Sequence, residues 1–265
     1  MTKELVLATI TKNHFGILTL NRPDKHNAFN QKMISEIIQK LIFFQQHDII
    51  ALIINANGKH FSAGADLTWM AEMAEKKIED NLADALDLAK MLHLIHHFEK
   101  PTIALVQGSA FGGGAGIVAA CDIVITTESA QFGFTETKMG LIPATISPYV
   151  IHAIGPKWAK YYFLTAALFS AATALQIGLC HEIVSLDQIL DIDRLSTIQQ
   201  LMKNGPLAMS HAKKLVHVIS DKKLTDPSLM PMTANMIAQI RSSQEGKEGI
   251  SAFLEKRQPN WTVKK

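Results

Sequence analysis

The chain has 265 residues, of which 48% are hydrophobic and 19% charged, and its formal net charge at pH 7 is +2. This is the balance of an ordinary globular protein, and so small a charge argues against nucleic acid or a membrane surface as a partner. The sequence shows neither an uncharged apolar run of roughly 18 residues nor a basic stretch with a small-residue cleavage site at its start, so we expect a cytoplasmic protein.

Predicted strands and helices alternate over the first two-thirds of the sequence. Two short β-type runs flank Asn13 and His14 and predict a hairpin, and continuous apolar runs farther on are typical of strands buried on both faces. The predicted strands are 5–11, 15–20, 49–54, 102–106 and 123–126, and the predicted helices are 31–45, 67–98 with a polar break near 75–80, and 115–120. This alternation predicts an α/β core.

The pattern changes beyond about residue 186, where the predicted strands stop. Asp226 and Pro227 predict a helix start with the proline in the first turn, and Ser242 and Glu245 have the spacing of a capping box. We therefore predict an α/β core over residues 1–190 that carries the ligand site, followed by a helical C-terminal region over residues 191–265.

Metal and disulfide chemistry find little support in the sequence. Cys121 and Cys180 form neither a CxxC pair nor a zinc spacing, so we predict buried, reduced thiols. His93, His96 and His97 have helical spacing, but no carboxylate or cysteine beside them makes a convincing ligand set. We predict no metal site.

Two glycine-containing loops each lie between a predicted strand and a predicted helix. The first is HFSAGAD at residues 60–66, and the second is FGGGAG at residues 111–116. The second loop lacks the GxGxxG order, and no P-loop lysine follows it, so neither nucleotide motif fits. Free N–H groups at such helix starts attract an anionic oxygen, and two that converge form an oxyanion hole. Taken alone, the glycines also fit a purely structural role in a tight turn and close helix packing.

These loops, together with the Asn21-Arg22-Pro23 segment, Cys121-Asp122 and Gln131-Phe132-Gly133, resemble the enoyl-CoA hydratase/isomerase (crotonase) family over nearly the whole chain. The resemblance implies a spiral core of ββα units and a C-terminal helical region used in oligomerisation, usually as trimers or pairs of trimers. It also implies an acyl-CoA substrate, with coenzyme A as part of the substrate and no separate cofactor.

The resemblance assigns roles to single residues. The amides of Ala65 and Gly113 would hold the thioester oxygen as it gains enolate charge, and Glu136 falls on the family's second catalytic glutamate. Arg22 and Lys25 are expected near the CoA phosphates, with Phe253 and Lys256 near the CoA of a neighbouring subunit. The substrate-binding residues expected from the sequence are Arg22, Lys25, Ala63, Ala65, Asp66, Leu67, Gly113, Gly116, Phe253 and Lys256.

Gly116 stands where hydratases with two glutamates carry the first one, and this leaves the reaction open. A 1,3-proton shift needs one base acting twice, which suits a Δ-isomerase using Glu136 alone, whereas hydration by one carboxylate requires it to take a proton and return it. A glycine at 116 could vacate space for a branched acyl group. The segments 135–138 and 142–148 are also similar to hydratases of leucine and isoprenoid breakdown that act on methylglutaconyl-type thioesters.

We therefore predict an enoyl-CoA hydratase with 3-methylglutaconyl-CoA as its leading substrate. The alternatives are an enoyl-CoA Δ-isomerase and a non-catalytic acyl-CoA-binding protein.

Overall fold

The computed structural model describes residues 4–263 of the protein. Its strands are β1 (Val6–Ile10), β2 (Phe15–Leu20), β3 (Ala51–Ala56), β4 (Thr102–Val106), β5 (Ala110–Phe111), β6 (Ile123–Thr127), β7 (Gln131–Gly133), β8 (Phe169–Ser170) and β9 (Glu182–Val184). Its α-helices are α1 (Gln31–Gln45), α2 (Leu67–Ala74), α3 (Ile78–His96), α4 (Gly113–Ala120), α5 (Ser147–Thr165), α6 (Ala171–Gln176), α7 (Leu186–Leu190), α8 (Ser196–Leu201), α9 (Pro206–Ser220), α10 (Leu229–Ser242) and α11 (Gln244–Leu254).

The chain divides into two compact units. One consists of the residues up to Phe98 together with Thr102–Arg194, and the other of Glu99–Pro101 together with the residues from Leu195 onwards. The first unit contains every strand of the described chain, and the second contains α8 to α11. The roles that the sequence suggests for residues 1–190 and 191–265 stay predictions.

The larger sheet of the first unit has the strand order β1-β2-β3-β4-β6-β9. The β1–β2 pair is the predicted antiparallel hairpin, and every other neighbouring pair runs parallel. All of β4 and the first four residues of β3 are buried, as their continuous apolar runs indicate. The predicted α/β alternation is confirmed.

Helices α1 to α4 also follow the sequence patterns. The Asn30 side chain accepts a hydrogen bond from the Met33 amide at 3.0 Å, which caps α1 at the residue where the apolar periodicity begins. The predicted helix over 67–98 is two helices, α2 and α3, and the predicted polar break separates them. Helix α4 is buried along almost its whole length, since small residues from Gly114 to Ala120 let it pack closely.

Several elements differ from the sequence predictions. The sheet β5-β7-β8 has strands of two or three residues, which are too short to give a periodic signal. Pro227 is not in the first turn of a helix, because α10 begins at Leu229. The capping box of Ser242 and Glu245 is also wrong: Ser243 caps α11, and the Glu245 carboxylate instead accepts from the amides at the start of α9.

The structure also describes the thiols, the apolar character of the helices and the distribution of possible metal ligands. Neither cysteine forms a disulfide within the described residues; Cys180 is buried and Cys121 half-buried, and burial raises the pKa of Cys180 to about 11. Within residues 4–263, no helix combines the length and apolar character needed to cross a bilayer. Over the same residues, no cluster of three or more histidine, cysteine or acidic side chains could hold a metal ion.

The strand order decides where the two glycine loops lie. Strands β3 and β4 are parallel neighbours; the segment 57–66, which contains the first glycine loop, follows β3, and the segment 107–112, which leads into the second, follows β4. Carboxyl ends of parallel strands meet at one edge of the sheet, which is where open α/β sheets bind ligands. The fold therefore brings the two loops to the same edge.

Candidate active site

The two glycine loops are hydrogen-bonded to each other. The amides of Phe61 and Ser62 donate to the Ser109 carbonyl at 3.0 and 3.2 Å, and the Phe111 amide donates to the Ser62 carbonyl at 2.9 Å. Ser62 also forms a parallel β-bridge with Ala110. These bonds fix the backbone of one loop against the backbone of the other.

Glycine is required where the loops touch. A Cβ on Gly64 would lie 2.9 Å from the Phe111 carbonyl oxygen and 3.5 Å from the Gly113 nitrogen, and Gly64 has a φ of +88°. A Cβ on Gly114 would lie 2.7 Å from the Cβ of Ser62. Since real Cβ atoms do not approach backbone so closely, the glycines serve close packing as well as any binding role.

Two amides at this contact are free to bind a ligand. The Phe29 amide donates to the Gly64 carbonyl and the Asp66 amide to the Phe29 carbonyl, each at 2.7 Å, so the Ala65 N–H points away from this bridge. Gly113 opens α4, where the first amides of a helix have no intrahelical acceptor. Within the described residues, neither N–H donates to a protein acceptor.

Both amides border a cavity of about 720 Å³. The structure brings seven of the sequence-predicted site residues to this cavity: Lys25, Ala63, Ala65, Asp66, Leu67, Gly113 and Glu136. Another part of the cavity wall is apolar, and its residues were not among the predicted site residues. It is formed by Phe29, Met139, Ile142, Pro143 and Ile146 among others. The segment similarity at 142–148 was the signal that could have found most of this wall.

Glu136 supplies a carboxyl group to the cavity with few protein contacts. It begins a 3-10 helix, Glu136–Met139, and its Oε2 atom is buried with no hydrogen-bond partner among residues 4–263. Burial raises the pKa of this carboxyl, and the amide of Glu136 itself offsets part of that effect. A carboxyl with a raised pKa and an oxygen that has no hydrogen-bond partner among the described residues is suited to take up and return a proton.

Gly112 lies beside the Glu136 carboxyl and directly before Gly113, whose amide opens α4. Its φ of +50° and ψ of −122° lie in a region that residues with a side chain avoid, and its amide donates to the Gly133 carbonyl at 2.9 Å. A Cβ on Gly112 would lie 3.1 Å from the Glu136 Oε1 atom. Glycine at this position therefore keeps the carboxylate close to the start of α4.

Arg22 does not border the cavity, and its expected place near the CoA phosphates stays a prediction. Its guanidinium forms an ion pair with Asp66, with Nη1 at 2.6 Å from Oδ2, and also donates to the Ala28 carbonyl at 3.0 Å. Asp66 in turn accepts from the amides of Thr68 and Trp69 and caps α2. Burial alone would raise the pKa of Asp66, but the Arg22 and backbone hydrogen bonds outweigh it and hold that pKa below its usual range.

Arg22→Ala is expected to lower the free energy of unfolding by about 3 kcal/mol, because it leaves a largely buried carboxylate without its partner. Asp66 has a lowered folded-state pKa, so its contribution is present above about pH 4 and is lost as the pH falls through the folded value. Urea unfolding of both proteins at several pH values measures this. Lys40→Ala, which removes the exposed pair with Glu4, should cost less than about 1 kcal/mol; an equal loss in the two variants would contradict the role given to Arg22.

The structure overturns the expectation that Gly116 opens space for substrate. Gly116 is buried, is not part of the cavity wall, and its place beside α4 is filled by Ile146. A Cβ on residue 116 would overlap the Cγ2 methyl of Ile146 and lie 2.9 Å from its Cβ. The room left by the missing glutamate is therefore occupied by a neighbouring side chain.

Phe253 and Lys256 belong to the second compact unit and do not border this cavity. The Phe253 side chain is 84% exposed, and Lys256 adopts a φ of +55° just after α11. Their proposed contact with the CoA of a neighbouring subunit stays a prediction.

Comparison with known proteins identifies the family. A family model described as enoyl-CoA hydratase/isomerase matches residues 11–264. The 2,3-dehydroadipyl-CoA hydratase of Escherichia coli K12 is 30% identical over 247 residues, which cover 92% of this chain and 94% of the relative. The mevalonyl-coenzyme A hydratase of Aspergillus fumigatus is 29% identical over 261 residues, covering 98% of this chain and 95% of the relative.

A solved structure has a similar fold over nearly the whole chain. This structure, of an enoyl-CoA hydratase from Shewanella pealeana, is 44% identical, has a TM-score of 0.92, and covers 97% of this chain and 96% of its own. The crotonase-type α/β fold expected from the sequence is thereby confirmed. With a family model spanning nearly all of its residues and a relative of 30% identity matched over nearly its full length, the chain belongs to the enoyl-CoA hydratase/isomerase family.

Proposed function

We propose that this protein adds water to the double bond of a β-branched enoyl-CoA, with 3-methylglutaconyl-CoA as the leading substrate. The coarser assignment, an enzyme of the enoyl-CoA hydratase type, rests on the family match and on the names of its relatives. The observation that carries the chemistry is that two amides without a protein acceptor and the Glu136 carboxyl, whose Oε2 atom has no hydrogen-bond partner among residues 4–263, border a single cavity.

The proposed reaction uses one carboxyl group twice. The thioester oxygen accepts hydrogen bonds from the Ala65 and Gly113 amides, which stabilise it as negative charge develops. The Glu136 carboxylate takes a proton from water while the water oxygen bonds to the β-carbon and the π electrons move towards the thioester. The same carboxyl then returns a proton to the α-carbon, so one water is added and Glu136 is regenerated.

The names of two relatives suggest the acyl group, because each contains one chemical feature of the proposed substrate. The A. fumigatus relative is named for mevalonyl-CoA, whose acyl group carries a β-methyl, and the E. coli relative for 2,3-dehydroadipyl-CoA, which ends in a carboxylate. 3-Methylglutaconyl-CoA combines the two features. The apolar wall of the cavity is compatible with the methyl branch.

One assay separates this proposal from its alternatives. Purified protein is given 3-methylglutaconyl-CoA, crotonyl-CoA and a 3-enoyl isomer in ¹⁸O-labelled water, and products are followed by mass spectrometry. Stable label at the β-carbon supports hydration, with the highest kcat/KM expected for 3-methylglutaconyl-CoA. Double-bond migration without net water addition would identify the Δ-isomerase that a single glutamate also suits, and binding without turnover would identify a non-catalytic acyl-CoA-binding protein.

The pH dependence of hydration is expected to report the environment of Glu136. The group must be ionised to accept the proton of water, and burial raises its pKa, so activity should fall with decreasing pH through a pKa above the ordinary value of about 4.3. A profile of kcat/KM between pH 4 and 8 measures this in the free enzyme. An acid limb at or below the ordinary glutamate value would contradict Glu136 as the base in this environment.

The assembly and location remain part of the proposal. We expect a homotrimer or a pair of trimers, because α10 and α11 expose large apolar side chains such as Met230, Ile237 and Leu254. Light scattering on the purified protein gives the particle mass, and a monomer would contradict this expectation. A cytoplasmic location and the need for no separate cofactor are proposed on the sequence alone.

A further inference from the structure

We propose that Ile146 is the specificity-determining residue of the acyl site: anchored in the notch left by Gly116, it forms a rigid apolar wall that selects acyl-CoA thioesters with a methyl branch at the β-carbon. The inference rests on the proposed function, since it names the residue that would give the site its preference. It replaces the idea that position 116 itself receives the branch.

The first evidence is the fit between Ile146 and Gly116. The Cγ2 methyl of Ile146 occupies the place where any side chain on residue 116 would begin, and the Leu92 Cδ1 atom lies 3.8 Å from that same point. Ile146 is 2% exposed, although it also borders the cavity. One part of its side chain is therefore enclosed by α4, and the residue still forms part of the cavity wall.

The second evidence is that Ile146 has little freedom to withdraw. It is the residue before α5, and its carbonyl accepts from the Val150 amide at 3.1 Å. The turn that contains Ile146 is closed by the Ser147 amide and hydroxyl, which both donate to the Ala144 carbonyl, and Pro148 follows at the helix start. A β-branched side chain is stiff about χ1, so both the backbone and the side chain hold the wall in place.

Two other large apolar residues of the cavity wall, Ile142 and Met139, are less enclosed. Ile142 is 73% exposed and Met139 is 48% exposed, so neither is enclosed as Ile146 is. A fixed, buried apolar surface rewards an apolar substituent that fills the remaining space and gives a polar group no hydrogen-bond partner. One methyl group in such a pocket changes selectivity by about 10-fold or more.

The test compares two unreactive thioesters that differ by one β-methyl, isovaleryl-CoA and butyryl-CoA. Calorimetry on the wild-type protein should show isovaleryl-CoA binding about tenfold more tightly. In Ile146→Ala this ratio should fall below about twofold. Ile146→Val, which keeps a methyl in the notch and shortens the other arm, should give an intermediate ratio and remains informative if the alanine variant does not fold.

Ile154→Ala is the matched control. Ile154 is an isoleucine within α5, is 4% exposed and does not border the cavity, so its truncation should lower thermal stability while leaving the binding ratio at the wild-type value. A wild-type ratio within about twofold of unity, or an unchanged ratio in the Ile146 variants, would overturn the proposal.

The same comparison separates this inference from the proposed function. The binding ratio is read without turnover, so it remains measurable if the protein hydrates no enoyl-CoA. If the protein is an active hydratase, the kcat/KM ratio of 3-methylcrotonyl-CoA to crotonyl-CoA should fall in Ile146→Ala together with the binding ratio. If the protein hydrates enoyl-CoA but neither ratio changes in Ile146→Ala, the proposed role of Ile146 is rejected and the proposed function stands.

Discussion

Glu136→Gln is expected to reduce kcat by about a thousandfold while leaving the affinity for a saturated acyl-CoA nearly unchanged. Glutamine has the shape of glutamate but cannot take up and return a proton, and the cavity wall around it stays the same. Steady-state kinetics with 3-methylglutaconyl-CoA and calorimetry with isovaleryl-CoA measure the two quantities. Turnover close to that of the wild type would exclude Glu136 as the acid/base.

The same variant should be more stable than the wild type at neutral pH. Because burial raises the folded-state pKa of Glu136, the ionised carboxylate costs stability above that pKa, and the neutral amide avoids the cost. Below about pH 4, where glutamate is protonated in the unfolded chain too, the difference should vanish. Glu128, an exposed glutamate in the turn after β6, offers the control: Glu128→Gln should change neither activity nor stability.

Gly113→Pro is expected to lower kcat by 10²- to 10³-fold relative to Gly113→Ala. Gly113 is the first residue of α4, a position where proline fits the helix and removes only an N–H that has no intrahelical acceptor. The preceding Gly112 has no Cβ, and its ψ of −122° lies outside the helical range that a following proline disfavours. The substitution therefore removes the proposed hydrogen-bond donor to the thioester oxygen and places the proline Cδ where the amide hydrogen was.

Gly113→Ala is the matched control because it adds the same Cβ and keeps the N–H. In both variants this atom lies 3.2 Å from the Phe29 ring, so both share that contact, and proline differs by its other ring carbons and the missing N–H. Binding of acetoacetyl-CoA, whose enolate places negative charge on the thioester oxygen, should weaken in the proline variant by a factor similar to that in kcat. Equal kcat values in two folded variants would show that the Gly113 amide does not stabilise the oxyanion.

The sequence predicted much of the fold because the relevant signals are local. The apolar periodicity of α1 and the Asn30 cap lie within a few residues of each other, and the buried strands β3 and β4 appear as continuous apolar runs. Elements with two or three residues carried no such signal. The Glu245 carboxylate shows another limit, since its partners at the start of α9 are about 38 residues away in the chain.

By itself, the sequence determined the α/β class, the two glycine loops, the family resemblance and a set of residues of which seven border one cavity. These follow from residue types at fixed short spacings. The tertiary structure decided what distant residues do to one another: Arg22 pairs with Asp66 instead of bordering the cavity, and Ile146 fills the notch at Gly116. A glycine in a sequence shows only that a side chain is missing, and whether the space is empty depends on which distant side chain packs there.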